Sequence, residues 1–311
     1  MFKHLKAFFS FNSVIMKKSG FVSIVGKPNA GKSTLLNSIL GTKLSIVTRK
    51  AQTTRRKVTG IYTDNDVQIV FLDTPGIIEP KYELQKTMMK YVNDAFDESD
   101  IILFLIDVST FESTDDIAGT ELSSILKTIQ KPKFVALNKI DKLKDIHELL
   151  PIIEKISALN IFDEIVPVSA RKNSEINTIL NLIIKYLPQH EFYFDEDYLS
   201  TENQRFFVSE MIREELFKYY SDELPYSADI QISSFKEREE GKWYIAADII
   251  IERSSQKKII IGERGSKIKE LGRRSRIQIE NYLEMPVYLE LFVKVRDKWR
   301  NDKDRLKSFG Y

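Results

Sequence analysis

One octapeptide constrains the fold of this 311-residue chain more than any other feature. Residues 26–33 read GKPNAGKS, which has the spacing G-x-x-x-x-G-K-[ST] of a phosphate-binding loop. The loop follows an apolar, β-rich segment (21–25) and precedes a helix-like segment (32–40). This strand, loop and helix order is the context in which such a loop binds phosphate.

Each residue type in the loop has a use in holding phosphate. The glycines let successive backbone N–H groups point at phosphate oxygens, and the following helix presents its positive end to the same anion. Lys32 would place a point charge on the outer phosphates, and the Ser33 hydroxyl would ligate Mg²⁺. The predicted nucleotide contacts in this segment are Gly26, Lys27, Pro28, Asn29, Ala30, Gly31, Lys32, Ser33 and Thr34.

A second motif, DTPG, follows the apolar segment VQIVFL. Asp73 ends that strand and is a second predicted magnesium ligand, acting through water. Gly76 is expected to offer its backbone N–H to the γ-phosphate, and Thr74 and Pro75 complete the predicted contact segment. Ile77 comes next, and it cannot orient an attacking water as a glutamine would, so we predict slow intrinsic turnover.

A third motif, NKID, points to guanine. Asp141 can accept hydrogen bonds from two N–H groups of the guanine edge, and adenine would leave this carboxylate unpaired, a mismatch that discriminates by roughly 10⁴-fold. Asn138 is expected to tie this loop to the phosphate loop, and the stem of Lys139 to cover the base. In the later segment VSA, Ser169 joins the predicted site and Ala170 is expected to donate its N–H to the guanine carbonyl oxygen.

The segment TRKAQTTRRK (48–57) must supply a hydroxyl to Mg²⁺ when the γ-phosphate is present. Thr54 is the preferred candidate and Thr53 the alternative, and the loop is expected to order with GTP and relax after hydrolysis. The predicted catalytic residues are therefore Lys32, Thr54 and Gly76. Asn29 is a candidate K⁺ ligand, and the alternative is that it only shapes the loop.

The order of elements divides the chain. Strands alternate with helices as far as Leu187, which predicts an α/β domain with a mostly parallel sheet. An acidic, aromatic segment (189–200) then reads as a linker, followed by a helix, two strands, a glycine loop, a helix, a strand and a short final helix. We predict four segments: an N-terminal tail over 1–17, a first domain over 18–187, a linker over 188–201 and a second domain over 202–311.

Charge is uneven within the second domain, although the whole chain has a formal net charge of only +2. Residues 191–252 contain 6 basic and 16 acidic side chains, whereas residues 253–311 contain 16 basic and 8 acidic ones. The basic block surrounds a glycine loop, which favours a polyanionic partner.

That loop reads GERG. The loop is predicted to lie between helical segments, with an apolar strand earlier in the chain and a basic helix directly after it. In KH domains a G-x-x-G loop clamps the backbone of about four nucleotides, because glycine lets the chain approach phosphates closely. The predicted RNA contacts are Gly262, Glu263, Arg264, Gly265, Lys257, Lys258, Lys267, Lys269, Arg273 and Arg274.

Composition excludes other chemistries. The chain has no cysteine and only three histidines, which are widely spaced. Disulfides, cysteine zinc sites and cysteine nucleophiles are therefore excluded, and a histidine metal centre is not expected.

Taken together, GKPNAGKS, RKAQTTRR, DTPG, NKID, VSA and IIIGERGSKIKELG resemble the bacterial Era-like GTPase family, within the TrmE-Era-EngA-YihA-Septin-like class, over about residues 18–311. The resemblance implies a P-loop GTPase domain followed by a type II KH domain. It implies Mg²⁺-dependent GTP hydrolysis, binding of GTP and GDP, and binding of the single-stranded 3′ end of 16S rRNA. It further implies a monomer that acts in maturation of the 30S ribosomal subunit and is cytoplasmic with a peripheral inner-membrane fraction.

Two other functions stay open at this point. The chain could be a membrane-associated or protein-signalling GTPase whose basic block faces anionic lipid. It could also be an RNA-binding module in which the nucleotide is only structural.

Overall fold

The structure, a computed structural model, describes residues 17–48, 50, 52–114, 121–221 and 223–311. The tail predicted over 1–17 therefore lies outside the described residues except for Lys17. So do two residues of the segment 48–57.

A six-stranded sheet with the order β2-β3-β1-β4-β5-β6 organises the first part of the chain. Its strands are β1 (Lys18–Gly26), β2 (Val58–Asp64), β3 (Val67–Asp73), β4 (Ile101–Asp107), β5 (Lys133–Asn138) and β6 (Glu164–Val168). β2 is antiparallel to β3 and all other neighbours are parallel, which confirms the prediction of a mostly parallel sheet. Residues 101–106 of β4 are all buried, as expected for a strand covered on both faces.

Among the described residues, five α-helices cover this sheet. They are α1 (Lys32–Leu40), α2 (Glu83–Glu98), α3 (Glu121–Thr128), α4 (Leu149–Ser157) and α5 (Ile176–Tyr186). Apolar residues of α1 and α5 pack on one face, and those of α2, α3 and α4 pack on the other. Because β1 lies between β3 and β4, the crevice at its carboxyl end is the place where open α/β sheets bind ligands.

The second part has its own three-stranded sheet, in the order β7-β8-β9. Its elements are α6 (Gln204–Tyr219), α7 (Leu224–Ser227), β7 (Asp229–Lys236), β8 (Trp243–Ile251), α8 (Ser254–Ile261), α9 (Ser266–Leu283), β9 (Val287–Val295) and α10 (Lys303–Ser308). β8 and β9 are parallel, and α8 and α9 connect them. Residues 259–261 end α8, where Ile260 is buried against the sheet, so the glycine loop lies between two helical segments, as predicted.

The segment between the two sheets is fastened to the first one. The Ile61 N–H donates to the Leu199 carbonyl at 2.9 Å, and the Gln68 side chain accepts from the backbone N–H groups of Tyr193 and Phe194. The exact bounds of the predicted linker stay a prediction. In the part of the chain that the structure describes, no helix is long and apolar enough to cross a membrane.

The two parts pack directly on each other through Trp299. Its side chain is fully buried and forms an apolar cluster with Leu84 and Met88 of α2 and with Ile250 of β8. Its indole N–H donates to the Ser227 carbonyl at 3.0 Å. Trp299 therefore links the packing of the first sheet's α2 to the second sheet.

Replacing Trp299 should test how much this contact stabilises the protein. We expect Trp299→Ala to cost about 3–5 kcal/mol, because a large buried side chain leaves a cavity. Urea unfolding followed by circular dichroism measures the change. Leu150→Ala, at a position 56% exposed on α4, is the control and should change stability by less than about 0.5 kcal/mol. An unaltered unfolding midpoint for Trp299→Ala would contradict the packing described.

Candidate nucleotide site and nucleic-acid interface

The phosphate loop joins β1 to α1 and needs glycine at two positions. Gly31 has φ 103°, and a Cβ there would lie 2.2 Å from Nδ2 of Asn138. Gly26 has φ 149°, and a Cβ there would lie 2.4 Å from the Leu105 carbonyl oxygen. No side chain caps the first turn of α1, so its backbone N–H groups face the loop and form an anion site.

Lys32 lies inside this loop. It is 6% exposed, and its ammonium donates to the carbonyls of Gly26 and Lys27, each at 3.1 Å. Burial lowers the pKa of Lys32 to about 8, and the charge of Asp73 acts in the opposite direction. A phosphate beside this ammonium would raise its pKa again and keep it charged.

Three oxygen-bearing side chains meet beside Lys32. The Ser33 hydroxyl donates to Asp73 Oδ2 at 2.7 Å and lies 2.9 Å from the Thr54 hydroxyl. Asp73 is fully buried, and its Oδ1 has no hydrogen-bond partner among the residues described. Burial raises the pKa of Asp73, and the nearby Lys32 charge and the Ser33 hydrogen bond oppose that shift. Hard oxygen ligands with a buried carboxylate fit Mg²⁺.

The geometry separates the two candidate threonines. The Thr53 hydroxyl lies 2.8 Å from the Thr48 hydroxyl and donates to the Lys50 carbonyl at 2.8 Å, within its own loop. Only Thr54 of the two has its hydroxyl beside Ser33. The structure therefore favours Thr54 as the magnesium ligand.

The DTPG segment packs on the phosphate loop. The Thr74 hydroxyl donates to the Ile24 carbonyl at 2.8 Å, and the Ile77 N–H donates to the Gly26 carbonyl at 3.0 Å. A Cβ at Gly76 would lie 2.7 Å from the backbone of Pro28, so this close approach requires glycine. Gly76 therefore lies next to the loop that the γ-phosphate would enter, while Thr74 serves to fasten the segment.

The Asn138 side chain joins the phosphate loop to the base end of the site. Its Nδ2 donates to the Ala30 carbonyl at 2.8 Å, as the sequence predicted for a tie between the loops. Its Oδ1 accepts from the Ala170 N–H at 3.0 Å. That N–H was expected to face the guanine oxygen, and in this structure it is bound to Asn138 instead. Ser169 donates its hydroxyl to Asp141 and so orients the predicted guanine-reading carboxylate.

Asp107 is part of this end of the site and was not predicted from the sequence. It forms an ion pair with Lys139, whose ammonium also donates to the Asn29 carbonyl at 2.6 Å. Partial burial would raise the pKa of Asp107, but hydrogen bonds from Lys139 and Ser109 lower it overall. Its position at the carboxyl end of a buried central strand is the signal that could have identified it.

Exchange of Asp141 should redirect base recognition. Asp141→Asn replaces one hydrogen-bond acceptor with a donor, so we expect the affinity for GTP to fall about 10³-fold. The affinity for xanthosine triphosphate should rise, because xanthine has a carbonyl where guanine has its amine. Titration with fluorescent nucleotides measures both. Asp145→Asn makes the same chemical change at an exposed position four residues on and should leave both affinities unchanged. Retained GTP preference in Asp141→Asn would show that this carboxylate does not read the base.

The second candidate site lies around the G-x-x-G loop between α8 and α9. Gly262, Arg264 and Gly265 all have left-handed φ values, of 69°, 49° and 79°. A Cβ at Gly265 would meet nothing within 4 Å, so the loop is open to a ligand on that side. Lys257 and Lys258 of α8 and Lys267 of α9 are exposed around it.

An open groove of about 450 Å³ lies between α9 and β9, and its lining begins at Ile268, three residues after the loop. Lys269 and Arg273, two of the predicted RNA contacts, line it. Arg274 does not line it, because its guanidinium stacks on Tyr219 of α6 at 4.9 Å and bonds Glu270. The sequence prediction missed the rest of the groove, which is lined by Ile268, Gly272, Arg276, Val287, Tyr288, Leu289 and Leu291.

The apolar floor of the groove had one sequence signal. In β9 the apolar residues at odd-numbered positions from Val287 to Val295 pack with the helices. They alternate with Tyr288, Glu290, Phe292 and Lys294, as expected for a strand with one buried face. A basic rim over an apolar floor suits single-stranded nucleic acid, whose phosphates and base faces have these two characters.

Two family models match the chain in these regions. A model described as a 50S ribosome-binding GTPase matches residues 21–139, and a model described as a KH domain matches residues 223–300. Curated relatives include GTPase Era of Ruminiclostridium cellulolyticum, 42% identical over 295 residues that cover 94% of this chain and 97% of the relative. GTPase Era of Yersinia enterocolitica is 40% identical over 293 residues, covering 94% and 95%.

Solved structures agree over the same span. Era from Aquifex aeolicus, a variant bound to GDP and AlF4−, aligns with a TM-score of 0.88 at 40% identity, covering 94% of this chain and 99% of that one. An Era complex with MgGDPNP and nucleotides 1506–1542 of 16S ribosomal RNA aligns with a TM-score of 0.89 at 40% identity, covering 95% and 99%.

Proposed function

The chain belongs to the Era family of GTPases, and on that premise we propose that it is a GTP-hydrolysing switch that binds the 3′ end of 16S rRNA through its KH domain. One observation carries the proposal. A single chain holds a complete phosphate, metal and base-reading arrangement and a basic G-x-x-G groove, and the two parts pack directly on each other.

The residues of the first site have separate roles in hydrolysis. Lys32 neutralises charge on the outer phosphates, and Gly76 offers its N–H to the γ-phosphate. Ser33, Thr54 and Asp73 would hold Mg²⁺, which neutralises charge on the β- and γ-phosphate oxygens when bound. Ile77 packs against the apolar cluster between the sheet and helices α2, α3 and α4. Its side chain carries no group that could orient water, so slow basal turnover is expected.

We propose K⁺ as a second cation, held by Asn29. The residue has φ 63° in the phosphate loop, which places its backbone in a conformation that asparagine tolerates well. A monovalent cation there would add positive charge beside the phosphates, the role that an arginine finger has in other GTPases. Equal hydrolysis rates in potassium and sodium buffers would remove this part of the proposal.

The primary test is GTP hydrolysis by the full chain, with and without a single-stranded RNA matching the 3′ end of 16S rRNA, in potassium buffer. Stimulation by this RNA and not by a scrambled RNA of equal length is the expected result. Basal turnover without stimulation would still support GTPase activity, but it would favour the alternative in which the basic block binds lipid. Binding to vesicles of anionic lipid would then test that alternative.

Filling the KH groove should weaken RNA binding without harm to the fold. Gly272 lies within α9, and a Cβ there would meet only Leu291, at 3.6 Å, so a leucine would extend into the groove. We expect Gly272→Leu to weaken RNA binding at least about tenfold, because each base–side-chain contact is worth about 1–3 kcal/mol. Thermal stability should not fall, since glycine costs about 1 kcal/mol in a helix interior.

The control for this variant is Asn177→Leu, which adds the same side chain at an exposed position of α5. Fluorescence anisotropy with labelled RNA measures affinity, and basal GTP hydrolysis should be the same in both variants. Unchanged RNA affinity in Gly272→Leu would mean that RNA does not enter this groove.

The biological setting is also a proposal. We propose a role in maturation of the 30S subunit, by a monomer that is cytoplasmic with a peripheral inner-membrane fraction. The family membership and the 16S rRNA complex of a relative support it. Co-sedimentation with 30S subunits, expected with a GTP analogue and not with GDP, tests the role in 30S maturation. Flotation with vesicles tests the membrane association, and light scattering tests the monomeric state.

A further inference from the structure

The segment 43–57, which carries Thr54, contacts the KH domain at several of its described residues. Its first contact is with Glu214 of α6, which is 1% exposed. The Glu214 carboxylate is paired with Lys43 and accepts the Val47 N–H at 3.3 Å. Further along, the Lys50 ammonium donates to the Tyr220 carbonyl at the end of α6. These contacts bind the segment to α6 of the KH domain as well as to its own domain.

Arg55 makes three of the hydrogen bonds to the KH domain. Its side chain is 3% exposed and enters a cage of backbone carbonyls around α7. The guanidinium donates to the carbonyls of Pro225 at 3.0 Å, Tyr226 at 2.9 Å and Ala228 at 2.7 Å. Asp229 lies 3.8 Å from it. Carbonyls at the end of a helix have no partner within the helix, so a cation there satisfies them.

Thr54, the neighbouring residue, lies at the candidate metal site. Its hydroxyl is 2.9 Å from the Ser33 hydroxyl. Consecutive Cα atoms are separated by about 3.8 Å, so a displacement of Thr54 by several ångströms would pull on Arg55. The two side chains point to different domains, one into the nucleotide site and the other into the carbonyl cage.

We propose that Arg55 is a positioning residue through which the KH domain holds Thr54 at the metal site. The inference rests on the proposed function as a GTP switch and deepens it. The KH domain thereby contributes to the preference for GTP over GDP, because only the γ-phosphate state needs Thr54 beside the metal. By linkage, a bound GTP analogue stabilises the docking of Arg55 in its cage to the same extent.

The test compares affinities for two nucleotides in the full chain with Mg²⁺. Arg55→Ala should weaken binding of a fluorescent non-hydrolysable GTP analogue about tenfold, since it removes three hydrogen bonds from a charged group and part of their energy orders the loop. GDP affinity should change less than about twofold. Arg55→Lys should resemble the alanine variant, because an ammonium cannot match the planar fork that reaches three carbonyls.

Lys131→Ala is the matched control. Its ammonium also donates to two backbone carbonyls, those of Phe96 at 2.9 Å and Asp97 at 2.7 Å, but both lie in its own domain. It should leave both nucleotide affinities unchanged. Thermal unfolding of all variants shows whether the fold is intact.

A double-mutant cycle with Thr54→Ala distinguishes positioning from a general structural role. If Arg55 acts through Thr54, Arg55→Ala should weaken analogue binding no further when Thr54 is already alanine. Additive losses, or equal losses for the analogue and GDP, would overturn the proposal. If Arg55→Ala does not fold, Glu214→Gln gives the same test from the other end of the segment, with an expected selective loss of about threefold. Failure of the wild-type chain to bind the GTP analogue at all would instead contradict the proposed function.

Discussion

The buried amide of Asn138 joins the two halves of the nucleotide site, and the rest of that site depends on it. It is 2% exposed and contacts the Ala30 carbonyl on one side and the Ala170 N–H on the other. Its approach leaves no room for a Cβ at Gly31. The glycine of the phosphate loop is thus required by packing against the base-reading loop as well as by the backbone conformation that binds phosphate.

A second network joins this site to the KH domain, and it consists largely of buried charge. Arg55 and Glu214 are both nearly inaccessible to solvent, and each is paired across the interface. Only the Arg55–Asp229 pair is buried on both sides, and removing one partner of a fully buried pair costs about 3–5 kcal/mol. An interface of this kind has few alternative arrangements, which is the property needed for a switch with discrete states.

The RNA groove shows how charge and shape divide the work of recognition. In the proposed function, Lys269, Arg273 and Arg276 would supply a sequence-independent attraction to phosphate, whose strength falls with salt. Gly272, Leu289 and Leu291 supply a space with an apolar floor. Basic residues near the loop are not equivalent: Arg274 is held against Tyr219, away from the groove, although the sequence places it beside Arg273.

The motifs predict where the nucleotide site lies, because they follow strands of a parallel sheet and parallel strands bring their carboxyl ends together. GKPNAGKS, DTPG and NKID could therefore be placed at one edge without coordinates, and the G-x-x-G loop could be read as a nucleic-acid contact from its glycines and flanking charge. Three contacts became known only from the folded arrangement: Thr54 faces Ser33, Ala170 binds Asn138, and Asp107 pairs with Lys139. The folded arrangement alone showed that Arg55 is buried in the KH domain, because its partner Pro225 lies 170 residues along the chain and no local pattern encodes a contact of that separation.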